Sequence, residues 1–423
     1  MRISSTFLLL LCASTTLATG TGVRIQLKHV DADANITTAE RLRRAGVRLQ
    51  RRLELLSGVA VPFTSRGVGD YIAEFSIGDP PQAVQGVIDT SSVLVWTQCM
   101  TCRPNCFAQN LEYYDFSLSS TGRAVPCNSS LCADDNAYEK QRCAGSHGGT
   151  CTVRASYGEA GIAGVLRRER FTFGTTTANI AFGCITETNN SVQMALDGAS
   201  GLIGLGYGDL SLVTQLGATR FSYCLTRFFG GKVSSSTLFI GPSAGLSGDT
   251  PVTSVPYQNL GVPFSSFYYL LVSGMSVGRA WLNIPFPALG VIVDSNFPFM
   301  SLVDVAYKEL IQEVSRQLGG RLVASPVDWL ELCVAGADVR RLAPPMVLHF
   351  QDGGEDLTIP AENMWAPMDR ESTSCMMVIN SATLEPPMNR TTTIGSYMQQ
   401  DMHVLYDLDN HQISFQKADC NTI

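Results

Sequence analysis

The sequence predicts a mainly β protein of two lobes around a cleft, and three observations carry that reading. Beyond residue 60 the chain breaks into short stretches of alternating apolar and polar residues, as in Asp70-Tyr-Ile-Ala-Glu-Phe-Ser-Ile, closed by turn signals such as Gly78-Asp-Pro-Pro-Gln. Helical periodicity is scarce; its best example runs from Val303 to Leu318, with Val303, Tyr307, Leu310, Ile311, Val314 and Leu318 on one face. Two β-branched runs, Val87-Ile88-Asp89-Thr90-Ser91-Ser92 and Val291-Ile292-Val293-Asp294-Ser295-Asn296, each deliver an aspartate and then a hydroxyl, about half a chain apart. A carboxylate at the end of a buried strand is costly unless it is shared or hydrogen-bonded, so its double occurrence suggests a pair. The 423 residues leave room for two lobes with separate cores.

The chain opens with Arg2, an apolar stretch from Phe7 through Cys12, and the small residues Ala13, Ser14, Thr15, Thr16, Ala18 and Gly20. This is the pattern of a secretory signal peptide over residues 1–20. The run is shorter than the ~20 residues of a bilayer span and no later run is comparable, so no membrane span is expected. Beyond Cys12 stand Cys99, Cys102, Cys106, Cys127, Cys132, Cys143, Cys151, Cys184, Cys224, Cys333, Cys375 and Cys420. In an oxidising compartment these twelve allow up to six disulfides of open connectivity. Cys99-x2-Cys102-x3-Cys106 has the look of half a zinc site, but no histidine stands nearby until His147, and the disulfide reading is preferred. The sequons at Asn35, Asn128, Asn189 and Asn389 are glycosylation candidates that agree with the secretory route.

Residues 21–58 differ in character: eight Arg or Lys stand against four acids, a net +4. Subtracting this and Arg2 from the chain's −7 leaves −12 for residues 59–423. A basic leader before an acidic body is the charge layout of a pro-segment docked on its own cleft. Leu42, Ala45, Leu49, Leu53 and Leu56 recur at helical spacing, with arginines on the other face. Acid would protonate carboxylates of the body, weaken the attraction and free the cleft. The acidic body also argues against nucleic acid as a partner.

Taken in order, these residues resemble the pepsin-like aspartic proteases, in particular their plant nepenthesin-type branch, over nearly the whole chain. Asp89-Thr-Ser-Ser-Val-Leu-Val-Trp96 stands where that family has Asp-Thr-Gly-Ser, apolar residues and Trp. Seven cysteines between positions 99 and 151 look like the Cys-rich insertion of the plant branch. Tyr157-Gly-Glu-Ala-Gly161, with a return strand over Arg167 to Phe173, matches the flap hairpin. Leu202-Ile203-Gly204 and Thr393-Ile394-Gly395 match the apolar-apolar-Gly segments that complete each catalytic loop, and Arg220-Phe-Ser-Tyr-Cys224 is another familiar element. The resemblance implies a bilobal acid protease fold, with lobes at 59–245 and 246–423 after the signal peptide and pro-segment.

It also implies a chemistry. Asp89 and Asp294 would share one proton around a water, because two charges ~3 Å apart cannot both ionise, and they would titrate as a coupled pair. No metal or cofactor is implied. Thr90 and Ser295 would bond across the loops to the opposite backbone, Ser92 would support Asp89, and Tyr157 would pair with Trp96 as the flap closes. The departures are Ser91 and Asn296, where the family has glycine, and Phe297, where it has Thr or Ser. The glycines bring an amide close to each carboxylate, where a side chain would crowd the site or tilt the loop. Serine is small, asparagine tolerates positive φ, and each adds a hydrogen-bond donor. Loss of a hydroxyl at Phe297 is expected to push the pair's second proton loss to higher pH. The implied function is a secreted acid endopeptidase of peptide or protein substrates, restrained by its own pro-segment and acting as a monomer. The alternative is a fold that lost turnover and serves as a secreted binding protein, as do relatives in this branch that inhibit glycosidases.

Other signals are set aside on context. Gly241-Pro-Ser-Ala-Gly245 fits a nucleophile elbow but lacks the following helix, and Gly201-Leu-Ile-Gly-Leu-Gly206 lacks the surrounding βαβ alternation of a nucleotide loop. There is no His-Glu-x-x-His, and His147, His349, His403 and His411 are scattered. A signal peptide gives entry to the secretory route, with apoplast, cell wall or vacuole as destination. The C-terminal Cys420-Asn-Thr-Ile is no retention signal.

Overall fold

The computed structural model describes residues 22–32, 36–37, 40–45 and 71–423, apart from 103–105, 133–138, 145–148, 158–159, 189–195, 197, 228–234, 261–264, 286–289, 328, 336–338, 352–353, 369–372 and 385–387. The fold is mainly β, as the alternating texture predicts. In the N-terminal lobe Tyr71–Ile77 runs antiparallel to Gln82–Asp89, joined by the predicted turn. The 14-residue strand Ala160–Phe173 pairs with Thr150–Tyr157 on one side and Thr176–Thr188 on the other. It is longer than the return strand expected at 167–173.

The buried Glu169 carboxylate of that long strand ties down the Cys-rich insertion. It accepts from Tyr114 Oη at 2.5 Å, from the Thr121 hydroxyl and from the Arg170 N–H at 2.7 Å. Burial alone would raise the pKa of Glu169, but these donors favour the charged form and hold it below the usual carboxylate range.

In the C-terminal lobe Tyr269–Val277 pairs with Gly290–Val293 and with Met346–Phe350. The expected helix is present as Asp304–Leu318, and it buries Ala306, Tyr307, Leu310, Val314 and Leu318. Ile311 is only partly buried at the edge of that face. A small sheet holds Cys333–Ala335 against Thr373–Met376, with Cys333 and Cys375 opposite each other and bonded.

One antiparallel sheet joins the lobes. Its strands run, side by side, Tyr71–Ile77, Val23–His29, Ser236–Ile240, Arg220–Cys224, Met402–Asp407, Gln412–Lys417 and Val252–Gln258. The second of these strands belongs to the basic leader, ahead of residues 42–56, where helical spacing is read. Val23, Ile25, Leu27 and His29 are buried while Arg24, Gln26 and Lys28 are exposed, which is the period-2 pattern of a half-buried strand. The helical reading holds where it is described: residues 40–45 are helical, with Leu42 and Ala45 fully buried. Leu49, Leu53 and Leu56 lie outside the described residues.

Six disulfides use all twelve predicted cysteines. Cys102–Cys106, Cys127–Cys143 and Cys132–Cys151 close within the insertion. Cys99–Cys184 fastens the insertion's start to the strand Thr176–Thr188. Cys224–Cys420 and Cys333–Cys375 complete the set. The zinc alternative for Cys99, Cys102 and Cys106 is thereby excluded, since each sulfur is already bonded to another.

Candidate active site

The two aspartates stand on matching constructions. Gln82–Asp89 lies parallel to Gly201–Gly204, with Asp89 opposite Gly204. Gly290–Val293, which leads into Asp294, lies parallel to Thr392–Ile394. Because the strand end that leads into each aspartate is buried, its sequence there is a short apolar run, Val87-Ile88 and Val291-Ile292-Val293, rather than an alternation. The paired segments must pass very close to the loops. A Cβ on Gly395 would sit 1.9 Å from the Phe299 carbonyl oxygen, and one on Gly204 would sit 2.3 Å from that of Val93. Only glycine fits either place.

Beyond their strands the two loops interlock. The Thr90 hydroxyl donates to the Val293 carbonyl at 3.0 Å and accepts from the Ser295 N–H at 3.0 Å. The Ser295 hydroxyl donates to the Ile88 carbonyl at 3.3 Å and accepts from the Thr90 N–H at 3.2 Å. Four reciprocal bonds thus fix one buried loop against the other, Asp89 being 3% exposed and Asp294 0%. Both carboxylates also accept a local backbone donor: Ser91 N–H to Asp89 Oδ1 at 2.7 Å, and Asn296 N–H to Asp294 Oδ1 at 2.8 Å.

The altered positions fit without strain. Among the described residues positive φ outside glycine occurs at Asp401 and His411, so neither Ser91 nor Asn296 occupies the left-handed region. Ser91 is half-buried, whereas Asn296 is buried and reaches across the lobes, its Nδ2 donating to Asp89 Oδ2 at 3.0 Å. Asn296 does add the donor that its side chain allowed. Phe297 is 1% exposed and belongs to the hydrophobic core, contributing bulk and no side-chain donor. Ser92 is buried beside Asp89, and its carbonyl accepts from Gly206 N–H at 2.8 Å.

Trp96 is buried, and its Nε1 has no acceptor among the described residues. The backbone of Tyr157 ends a strand opposite Ala160, so the hairpin expected of a flap is present. The Tyr157 side chain lies outside the described residues, as do Asn35 and Asn189. Of the remaining sequons Asn128 is exposed and Asn389 half-buried.

Sequence reasoning did not find the polar layer beneath Asp294. Gln399 donates through Nε2 to the Asp294 carbonyl at 3.1 Å and to that of Ile394 at 2.8 Å, while its Oε1 accepts from Tyr223 Oη at 2.6 Å. Tyr406 Oη stands 3.2 Å from Tyr223 Oη, and its ring stacks on Phe221 at 4.4 Å. Burial raises both phenols well above their ordinary range, so they serve as neutral hydrogen-bonding groups. Tyr223 stood within a recognised element, but no local pattern distinguishes Gln399 from a solvated glutamine. Among the described residues no group of His, Cys, Asp and Glu is arranged to hold a metal ion, and no helix is long and apolar enough to cross a membrane.

Comparison with known proteins agrees with this construction. Residues 71–242 match the family model described as xylanase inhibitor N-terminal, and residues 267–417 match xylanase inhibitor C-terminal. The chain is 33% identical to aspartic proteinase nepenthesin-1 of Nepenthes gracilis over 420 residues, covering 95% of this chain and 91% of that one. It is 31% identical to nepenthesin-2 of the same plant over 421 residues, covering 94% and 90%. Among solved structures, basic 7S globulin from soybean shares the fold with a TM-score of 0.66 at 17% identity, covering 94% of this chain and 97% of that one. Matched in both halves and 33% identical to a nepenthesin along nearly its whole length, the chain belongs to the pepsin-like aspartic proteases, in their plant nepenthesin-type branch.

Proposed function

We propose that the chain is a secreted acid endopeptidase in which Asp89 and Asp294 activate water against a peptide carbonyl. The observation that carries this reading is the reciprocal bonding of Thr90 and Ser295, which holds two buried carboxylate loops in one arrangement. Such preorganisation is what a coupled acid and base require. The ionised aspartate takes a proton from water as its oxygen attacks the carbonyl carbon. The protonated partner gives its proton to the carbonyl oxygen. Collapse of the resulting diol, with a proton passed to the amide nitrogen, breaks the C–N bond. The buried position of both groups favours one shared charge over two.

In this reading residues 1–20 direct secretion and residues 21–58 form the pro-segment. The strand Val23–His29 supports a leader built into the body of the protein rather than one held by charge alone.

A second reading, a secreted binding or inhibitory protein, is favoured by one feature. The amide of Asn296 occupies an oxygen of Asp89 that a water-activating dyad would otherwise offer to water or substrate. Hydrolysis of an unfolded protein by acid-treated chain between pH 3 and 6, with a statine-type analogue and an Asp89→Asn control, separates the two. Analogue-sensitive cleavage that disappears in Asp89→Asn is the expected result. Folded, processed protein that leaves the substrate intact would favour the binding role.

A further inference from the structure

Asn296 is bonded to both carboxylates of the dyad. Its backbone N–H donates to Asp294 Oδ1 at 2.8 Å and its side-chain Nδ2 donates to Asp89 Oδ2 at 3.0 Å. The second contact crosses 207 residues of sequence and is buried. From this geometry we propose that Asn296 is a positioning residue that favours the ionised form of Asp89.

The physical basis is a side-chain donor that glycine at this position would not supply. An amide donor to one oxygen stabilises the charged carboxylate and not its protonated form. The donors to Asp89 include the Ser91 N–H on Oδ1 and the Asn296 amide on Oδ2. An amide has no proton to give up in this pH range, so its donation is constant.

Among the other titratable groups nearby, Asp294 accepts from the backbone N–H of the same Asn296. Tyr223 and Tyr406, in the polar layer beneath it, are neutral through burial and place no competing charge there. The amide also offsets the missing hydroxyl at Phe297, since it fixes the charge on the partner carboxylate instead. Held in this way, Asp89 stays ionised to lower pH than it would beside glycine.

The proposal rests on the protease reading only for its consequence in rate, so the decisive test is made on protonation itself. Carboxyl carbon-13 titration of aspartate-labelled chain, with the Asp89 resonance assigned by its loss in Asp89→Asn, is compared between wild type and Asn296→Gly. Glycine keeps the backbone donor to Asp294 and removes only the amide. The Asp89 titration is expected to move upward by about one pH unit. An unmoved midpoint overturns the proposal. Where wild type cleaves substrate, the acidic limb of kcat/KM is expected to move by the same amount, with KM little changed. A uniform gain of rate at every pH, with the limb in place, would show an obstructing side chain and overturn the positioning role. Failure of wild type to cleave at any pH removes the protease reading and leaves the titration result standing.

Discussion

At the scale of single residues, the site depends on hydroxyls that neither accept nor donate a catalytic proton. Thr90 illustrates this: one oxygen donates to Val293 and accepts from Ser295, each bond crossing about two hundred residues of sequence. Thr90→Val keeps the shape and removes both. The loops are expected to lose registry, with kcat falling about 10-fold to 100-fold, the scale set by a displacement of ~1 Å at reacting groups. Stability is expected to fall by about 1–3 kcal/mol, because the Ser295 N–H is left buried without its acceptor. Steady-state kinetics and urea unfolding check the two effects, and Thr90→Ser is expected to retain most of both. Asp89 and Asp294 were legible because an aspartate at the end of a β-branched run violates the ordinary rule for buried strands. Gln399 was not, since a buried glutamine and a solvated one look the same in sequence.

At the scale of elements, the legible features are those with a period or a forced composition. The helix Asp304–Leu318 was found within one residue, because five buried side chains recur at helical spacing. The leader strand is less plain in the sequence: Val23, Ile25, Leu27 and His29 alternate with Arg24, Gln26 and Lys28, but over seven residues within a segment whose dominant signal is its net positive charge. The glycines of the completing segments are a sharper case. Gly395→Ala must displace the Phe299 and Phe297 carbonyls, at 1.9 and 2.4 Å from the added carbon. A loss of about 3 kcal/mol or more is expected, since backbone cannot yield as a flexible side chain does. Gly245→Ala meets nothing within 4 Å and is expected to stay within about 0.5 kcal/mol of wild type. Denaturant unfolding of the pair measures the contrast.

At the scale of the whole molecule, an endopeptidase of the proposed kind must survive the pH at which some of its own interactions fail. His403 lies in the sheet that joins the lobes, 2% exposed, with Nε2 2.9 Å from Ser222 Oγ and its ring 5.8 Å from that of Phe239. Its cross-strand neighbours, Cys224 and Gln416, are uncharged. Burial pushes it down to about 4 from an ordinary 6.5. The unfolded chain therefore takes up this proton first as pH falls. The contribution to stability is full above pH 6.5, is lost between 6.5 and about 4, and is flat below; its size is about 3 kcal/mol. Glu169, held low by its donors, acts in the same direction: its contribution is present above the unfolded value and fades as pH falls through its folded one. His403→Gln is expected to melt with a smaller drop between pH 6.5 and 4 than wild type, as calorimetry across that range would record. The disulfides do not titrate, and their restriction of the unfolded chain persists in acid.

The sequence by itself determined the β class, the pair of strand-end aspartates, the loops in which the family glycines are replaced, and a cysteine set able to form six disulfides. Each follows from residue type or from a period that backbone geometry imposes on neighbouring residues. Only the tertiary structure decided which cysteines join, that the basic leader supplies a strand between Tyr71–Ile77 and Ser236–Ile240, and that the Asn296 amide meets Asp89. These contacts join residues tens to hundreds of positions apart, and they form where the packing of two lobes brings buried polar atoms within ~3 Å of each other, a distance no local pattern encodes.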